Sequence, residues 1–180
     1  TGTLRAPLGL EGLKCGISKA GIKTMPDTMP LPDRWEWHIW FDGSASPNPG
    51  RIGLGVLAVG PDGQRKEYSG IAAQDGCNNE AELLALGKAL EMARESGARR
   101  VLLQGDSDFV VRHVNGLDTT EVIRLREIVL RTRDLMTGFA ECRLKWIPRH
   151  RNRDADRLSR AALGLPEKPD LHPGLLRRRR

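Results

Sequence analysis

No stretch of this sequence approaches the eighteen or so uncharged apolar residues that a membrane-spanning helix needs, so no membrane partner is expected. The N-terminus lacks the basic start, apolar centre and small-residue cleavage site of a secretory leader. Cysteine is scarce. Cys15, Cys77 and Cys142 are too few and too scattered for a disulfide framework or a zinc site, which points to a reducing, cytoplasmic setting. What remains is an ordinary globular composition, 39% hydrophobic and 29% charged over 180 residues, sized for one domain with tails and expected to be a monomer. Net charge is +6, but Arg177 to Arg180 supply four of those charges, so the balance is compatible with nucleic acid without requiring it. The chain opens on Thr1, which leaves open a fragment of a larger, reverse-transcriptase-like polypeptide.

Residues 1–34 carry Gly, Pro and Lys punctuation and no sustained period, the pattern of a flexible extension. Residues 165–180, ending in four arginines, read as a basic tail. Between them, residues 35–164 alternate in a way that implies a folded core. Strands are predicted over 36–41, 52–59 and 64–73, with Pro61-Asp62-Gly63 as a hairpin signal between the last two. A helix follows over about 79–95, then a short apolar strand over 100–104 and a short helix over 108–114. A longer helix capped by Thr119 or Thr120 reaches about Met136, before a strand over 142–147 and a last helix over 153–163. Three meandering strands followed by strand–helix alternation predict an α/β fold, a mixed sheet with helices on its faces.

Four acidic residues fall where carboxylates are uncomfortable. Asp42 ends the apolar run Trp37-His38-Ile39-Trp40-Phe41, and Asp106 follows Val101-Leu102-Leu103-Gln104-Gly105. Glu82 precedes Leu86 by four residues and Ala89 by seven, which puts it on the apolar stripe of its helix. Asp156 sits in the last helix beside the basic cluster Arg143, Lys145, Arg149, Arg151 and Arg153. Each has an ordinary explanation: a turn-forming Asp-Gly step for Asp42, the helix dipole for Glu82, an N-cap for Asp106 and a solvated helix face for Asp156. Jointly they read differently. Carboxylates converging at strand ends repel one another unless divalent cations hold them, and a pair of such ions is what phosphodiester hydrolysis uses.

In this order, Phe41-Asp42-Gly43-Ser44, Asn78-Asn79-Glu80-Ala81-Glu82-Leu83, Gly105-Asp106-Ser107 and Ala155-Asp156-Arg157-Leu158 resemble the motifs of the ribonuclease HI family, over roughly residues 35–163. The resemblance implies a ribonuclease H-like sheet of five strands, three antiparallel and then parallel. It also implies an endonuclease that cuts the RNA strand of RNA–DNA hybrids, leaving 5′-phosphate and 3′-hydroxyl ends. Asp42, Glu82, Asp106 and Asp156 would then be the catalytic quartet binding two Mg²⁺ ions, with Mn²⁺ as a substitute. Asp42 would bridge the ions, Glu82 and Asp106 would hold the one that positions the nucleophilic water, and Asp156 would complete the shell of the other. RNA-strand contacts would fall to Gly43, Ser44, Asn78, Asn79 and Ser107, whose amides and hydroxyls can give and take hydrogen bonds with a 2′-OH. Asn79 with Glu82 three residues on also fits a capping box, and both roles remain open.

The sequence departs from bacterial members in one respect. After Val114 it passes through Asn115-Gly116-Leu117-Asp118 straight toward the next helix, with no basic, Trp-containing protrusion. Hybrid affinity is then expected to rest on Arg124, Arg126, Arg131, Arg133 and the cluster from Arg149 through Arg151 to Arg153, which would read phosphates without sequence preference. An ion-paired face is the competing reading for the helix arginines, since Glu121, Glu127 and Asp134 are interleaved with them. His150, six residues before Asp156, is the candidate for a loop histidine that shuttles a proton or aids product release. His38, His113 and His172 have no companion ligands and are expected to be structural or exposed. The rival readings are a DNA-junction nuclease or exonuclease on the same fold, and a non-catalytic hybrid-binding module.

Overall fold

The computed structural model describes residues 35–168; the expected N-terminal extension, Cys15, His172 and most of the basic tail lie outside the described residues. Five strands form one sheet in the order β3-β2-β1-β4-β5. They are β1 (Trp37–Ser46), β2 (Arg51–Val59), β3 (Arg65–Ile71), β4 (Arg100–Gly105) and β5 (Glu141–Trp146). β1 to β3 form an antiparallel meander, whereas β4 runs parallel to β1 and β5 parallel to β4. The helices are α1 (Asn78–Glu95), α2 (Asp108–Val114), α3 (Ile123–Thr137) and α4 (Arg153–Ala162). This is the mixed, helix-covered sheet expected from the order of elements.

Strand parity decides what goes where. Trp37, Ile39 and Phe41 point to one face of β1, where they pack with Val101 and Leu103 of β4 and Leu83, Leu86 and Leu90 of α1. Asp42 and Ser44 point to the other face, opposite Gly55 and Gly53 of β2. Those two glycines let α4 lie directly on the sheet: a side chain at Gly55 would strike the Ala155 carbonyl and the Ser159 amide. Gly43 does the same on the first face, where a Cβ would land on the Ala81 carbonyl and the Glu82 amide of α1. These close helix–strand approaches thus fall beside Asp42, at Gly43 on β1 and at its β2 partner Gly55.

Three local expectations change. β1 does not stop at Phe41. Its pairing with β2 continues to Ser46↔Arg51, so Asp42 lies inside a strand and the Asp-Gly step makes no turn. The α1 cap is not built by Asn79 and Glu82; the helix begins at Asn78, and Glu80 Oε2 accepts from the Cys77 N–H at 2.7 Å. Glu82, beyond the first turn, is released from capping. Finally, α3 starts at Ile123 because Thr120 Oγ1 accepts from the Val122 N–H at 3.3 Å, a local bond that competes with helix formation. Residues 115–122 cross from α2 to α3 without any intervening helix, so the chain has the short form expected.

Candidate active site

The C-terminal end of β4 lies beside the middle of β1, and the start of α1 is drawn against β1 by Gly43. These placements bring Asp42, Glu82 and Asp106 together. One carboxylate oxygen from each lies within 4.8 Å of the others, the one such group of three potential metal ligands among the described residues. Asp42 is buried, while Glu82 and Asp106 are partly exposed, so the cluster opens to solvent on one side.

Each of the three carboxylates is held by a neighbour. The Gly43 N–H donates to Glu82 Oε2 at 3.3 Å. Asp106 Oδ1 accepts from Asn152 Nδ2 at 2.6 Å, and the same amide nitrogen donates to the Phe41 carbonyl at 2.9 Å. Asn152 is fully buried, and its own Oδ1 makes no hydrogen bond. Asp42 Oδ2 accepts from Ser159 Oγ of α4, which also lies 3.0 Å from Ser44 Oγ. The cap of α2 is Ser107, whose Oγ accepts from the Val110 N–H at 3.3 Å; Asp106, offered above as that cap, is left free to face the cluster.

The cost of this convergence appears as proton affinity. Burial, reinforced by the charges of Asp106 and Asp156 and opposed by the Ser159 hydrogen bond and Lys168, pushes the Asp42 carboxyl up to about 7. Burial also raises Glu82 well above the usual carboxylate range, helped by Asp42 and Asp106 and opposed by the Gly43 N–H and Arg149. Carboxylates in that state are short of positive charge.

Asp156 stands apart from the three. It is buried on α4, near enough to Asp42 to raise its pKa, but its Oδ1 is taken by Arg149 Nη2 at 3.3 Å and by the Lys168 ammonium. The expected quartet is therefore a triad with a fourth carboxylate beside it, already paired.

Of the expected substrate contacts, Asn78 is exposed at the rim; its Oδ1 accepts from the Ala45 N–H at 3.0 Å and its own N–H donates to Asn48 Oδ1 at 3.1 Å. Asn79 is partly buried one residue further on. Arg149, His150 and Arg151 form an exposed one-turn segment beside the cluster. Two arginines expected at phosphates are engaged internally. Arg124 sits 2.5 Å from Glu80 Oε1 and donates to the Asp75 carbonyl at 2.7 Å, while Arg133 donates to the Val114 carbonyl at 3.0 Å and to that of His113. Arg126 and Arg131 remain exposed. His113 is buried, stacked on Phe109 with ring centroids 3.9 Å apart, as a structural histidine should be. Asn152, Ser159 and Lys168 were not singled out from sequence. The signal for Ser159 was available, since it lies three residues after Asp156 and so shares its helix face.

Comparison with known proteins finds relatives by both sequence and fold. A family model described as reverse transcriptase-like matches residues 40–162. Ribonuclease HI of Halobacterium salinarum is 37% identical over 148 residues, covering 82% of this chain and 74% of that protein. The crystal structure of RNase H1 from the same archaeon superposes with a TM-score of 0.68 at 36% identity, covering 71% of this chain and 97% of that one. LC11-RNase H1, crystallised in complex with an RNA/DNA hybrid, superposes with a TM-score of 0.65 at 28% identity over 71% of this chain and 96% of that one.

Proposed function

The chain belongs to the ribonuclease HI family, and from that premise we propose that it is a Mg²⁺-dependent endoribonuclease hydrolysing the RNA strand of RNA–DNA hybrids. The observation that carries the reading is the convergence of Asp42, Glu82 and Asp106 within 4.8 Å, with Asp42 raised to about 7 by burial and by the charges of Asp106 and Asp156. The donor set fits the metal: every ligand is a hard carboxylate oxygen, the kind Mg²⁺ and Mn²⁺ prefer over softer nitrogen or sulfur. Asp42, Glu82, Asp106 and Asp156 would hold two such ions, which when bound lower the pKa of an attacking water and stabilise the leaving 3′ oxygen.

The remaining work belongs to the chain. Ser159 and Ser44 fix the rotamer of Asp42, Asn152 fixes Asp106, and the Gly43 N–H fixes Glu82, so the ligands are oriented before a cation arrives. Gly43 and Ser44 on β1 and Asn78 and Asn79 at the start of α1 would meet the RNA strand, where an amide can bond a 2′-OH. Ser107 would add a backbone contact, its hydroxyl being occupied by the α2 cap. Arg149 and Arg151 would meet phosphates, and His150 beside them would assist product release. A positioned water would attack the phosphate with the 3′ oxygen leaving, so the products would carry 5′-phosphate and 3′-hydroxyl ends.

The test is cleavage of labelled RNA–DNA hybrid, double-stranded RNA and double-stranded DNA in Mg²⁺, Mn²⁺ and chelator. RNA-strand cutting of the hybrid alone, abolished by chelator, is the expected result. Cutting of duplex DNA would favour a different nuclease, and hybrid bound but uncut would make the domain a binding module.

A further inference from the structure

We infer that Lys168 is a built-in counter-cation for the fourth carboxylate: its ammonium occupies the position on Asp156 that a divalent ion needs, and must leave before that ion binds. The inference rests on the nuclease reading and adds to it a residue that sets how much metal the enzyme requires.

The path of the chain is what delivers Lys168. After Ala162 the last helix closes with the Gly164 N–H donating to the Ala161 carbonyl and the Leu165 N–H to the Arg160 carbonyl, both at 3.0 Å, and Gly164 adopts a φ of +68°. Arg160 Nε then donates to the Pro166 carbonyl at 2.9 Å, tying the departing segment to α4. The chain thereby doubles back along its own helix, and Lys168 reaches a carboxylate twelve residues earlier in sequence.

The charge arithmetic at the end of that path is specific. Asp156 Oδ1 receives both Arg149 Nη2 and Lys168 Nζ, two cations on one oxygen of a largely buried carboxylate. One carboxylate does not need two partners. The second positive charge is felt beyond Asp156, since Lys168 counters the burial that raises Asp42. Lys168 thus sits on the carboxylate that the proposed function assigns to a divalent ion. Its side chain is 39% exposed on a flexible four-carbon stem, so the ammonium can withdraw into solvent without moving the anchored backbone. An ordinary surface ion pair would contribute little, but this one closes over an acidic side chain with only 12% of its surface exposed.

The experiment compares full-length wild type with Lys168→Met, Lys168→Gln and Lys168→Arg. Substrate-free Mn²⁺ binding is counted by electron paramagnetic resonance, and the Mg²⁺ dependence of hybrid cleavage is measured alongside. Both neutral variants should bind the weaker Mn²⁺ about fivefold more tightly and reach half-maximal cleavage at about fivefold lower Mg²⁺, as expected for release of one partly buried ion pair. Lys168→Arg should resemble wild type. In an Asp156→Asn background the same neutral substitutions should change nothing. Unchanged or weaker Mn²⁺ binding by a folded neutral variant overturns the inference, as does an equal gain without Asp156. If wild type binds Mn²⁺ and cuts hybrid while these comparisons fail, only the role of Lys168 falls. If wild type binds no Mn²⁺, the nuclease reading falls and takes this inference with it.

Discussion

Asn152 donates one amide nitrogen to both Asp106 Oδ1 at 2.6 Å and the Phe41 carbonyl at 2.9 Å, joining the last loop to the end of β4 and the middle of β1. The bond sets the rotamer of a proposed metal ligand and fixes the spacing of the two strands that carry Asp42 and Asp106. Asn152→Ala should lower cleavage or apparent Mg²⁺ affinity by about 10–100-fold, the range for lost support of a ligand. Asn152→Asp should do worse, because it adds a carboxylate where Asp106 needs a donor. Steady-state rates at several Mg²⁺ concentrations check both; wild-type rates in Asn152→Ala would show that the bond positions nothing.

Asp42 makes the metal-free protein sensitive to pH. Its folded pKa of about 7 lies above the value of about 3.9 for an unfolded aspartate, so the folded state binds the proton more tightly. Stability from this group is fully present below about pH 4 and is lost as pH rises through 7. In chelator, wild type should therefore lose melting temperature between about pH 5 and pH 8 more steeply than Asp42→Asn, and the variant should melt higher at pH 8. Added Mg²⁺ should stabilise wild type more than the variant. A variant that melts below wild type at pH 8 in chelator would contradict the origin assigned to the shift. Asp42→Asn should cut no hybrid under any of these conditions.

The arginines divide into two groups. Arg124→Ala should cost about 1–2 kcal/mol, because Glu80 would lose its partner while still capping α1. It should leave the salt dependence of hybrid affinity unaltered. Arg149→Ala should weaken hybrid binding uniformly and reduce the salt slope by about 1. Urea melts and binding at several salt concentrations separate the two effects, and an altered salt slope in Arg124→Ala would return that residue to the phosphate-binding set.

Gly43 is where the sheet and α1 come closest. Gly43→Ala would drive a methyl group into the Ala81 carbonyl and the Glu82 amide, so it should destabilise by at least about 1–3 kcal/mol. It should also displace Glu82 and slow cleavage in whatever protein remains folded. Urea titration with a parallel rate measurement checks this; a neutral substitution would mean that the approach is looser than described.

Much of this was legible in the sequence because it is periodic. The element order, the buried stripe Leu86, Ala89, Leu90 and Ala93, and the bounds of α2 and α4 follow from spacing alone. Asp42, Glu82 and Asp106 stood out for a related reason, as charges set among apolar residues. What sequence could not give were the groups that act across long separations. Asn152 lies in a loop with no period, and its partners Phe41 and Asp106 are 111 and 46 residues away. Glu82 looked able to cap α1 together with Asn79, and only the start of the helix at Asn78 gave that role to Glu80 instead. The pairing of Arg124 with Glu80 was likewise invisible, because the exposed face of α3 reads as a solvated charge pattern whatever lies opposite.

The most direct test is to incubate wild type and Asp106→Asn with an RNA–DNA hybrid labelled on the RNA strand, with duplex RNA and duplex DNA as competitors, in Mg²⁺ and in chelator. Wild type should cut the RNA strand of the hybrid only, in Mg²⁺ only, leaving 3′-hydroxyl ends, and Asp106→Asn should bind the hybrid without cutting it. Hybrid cleavage that survives chelator, or that survives in Asp106→Asn, would contradict the account.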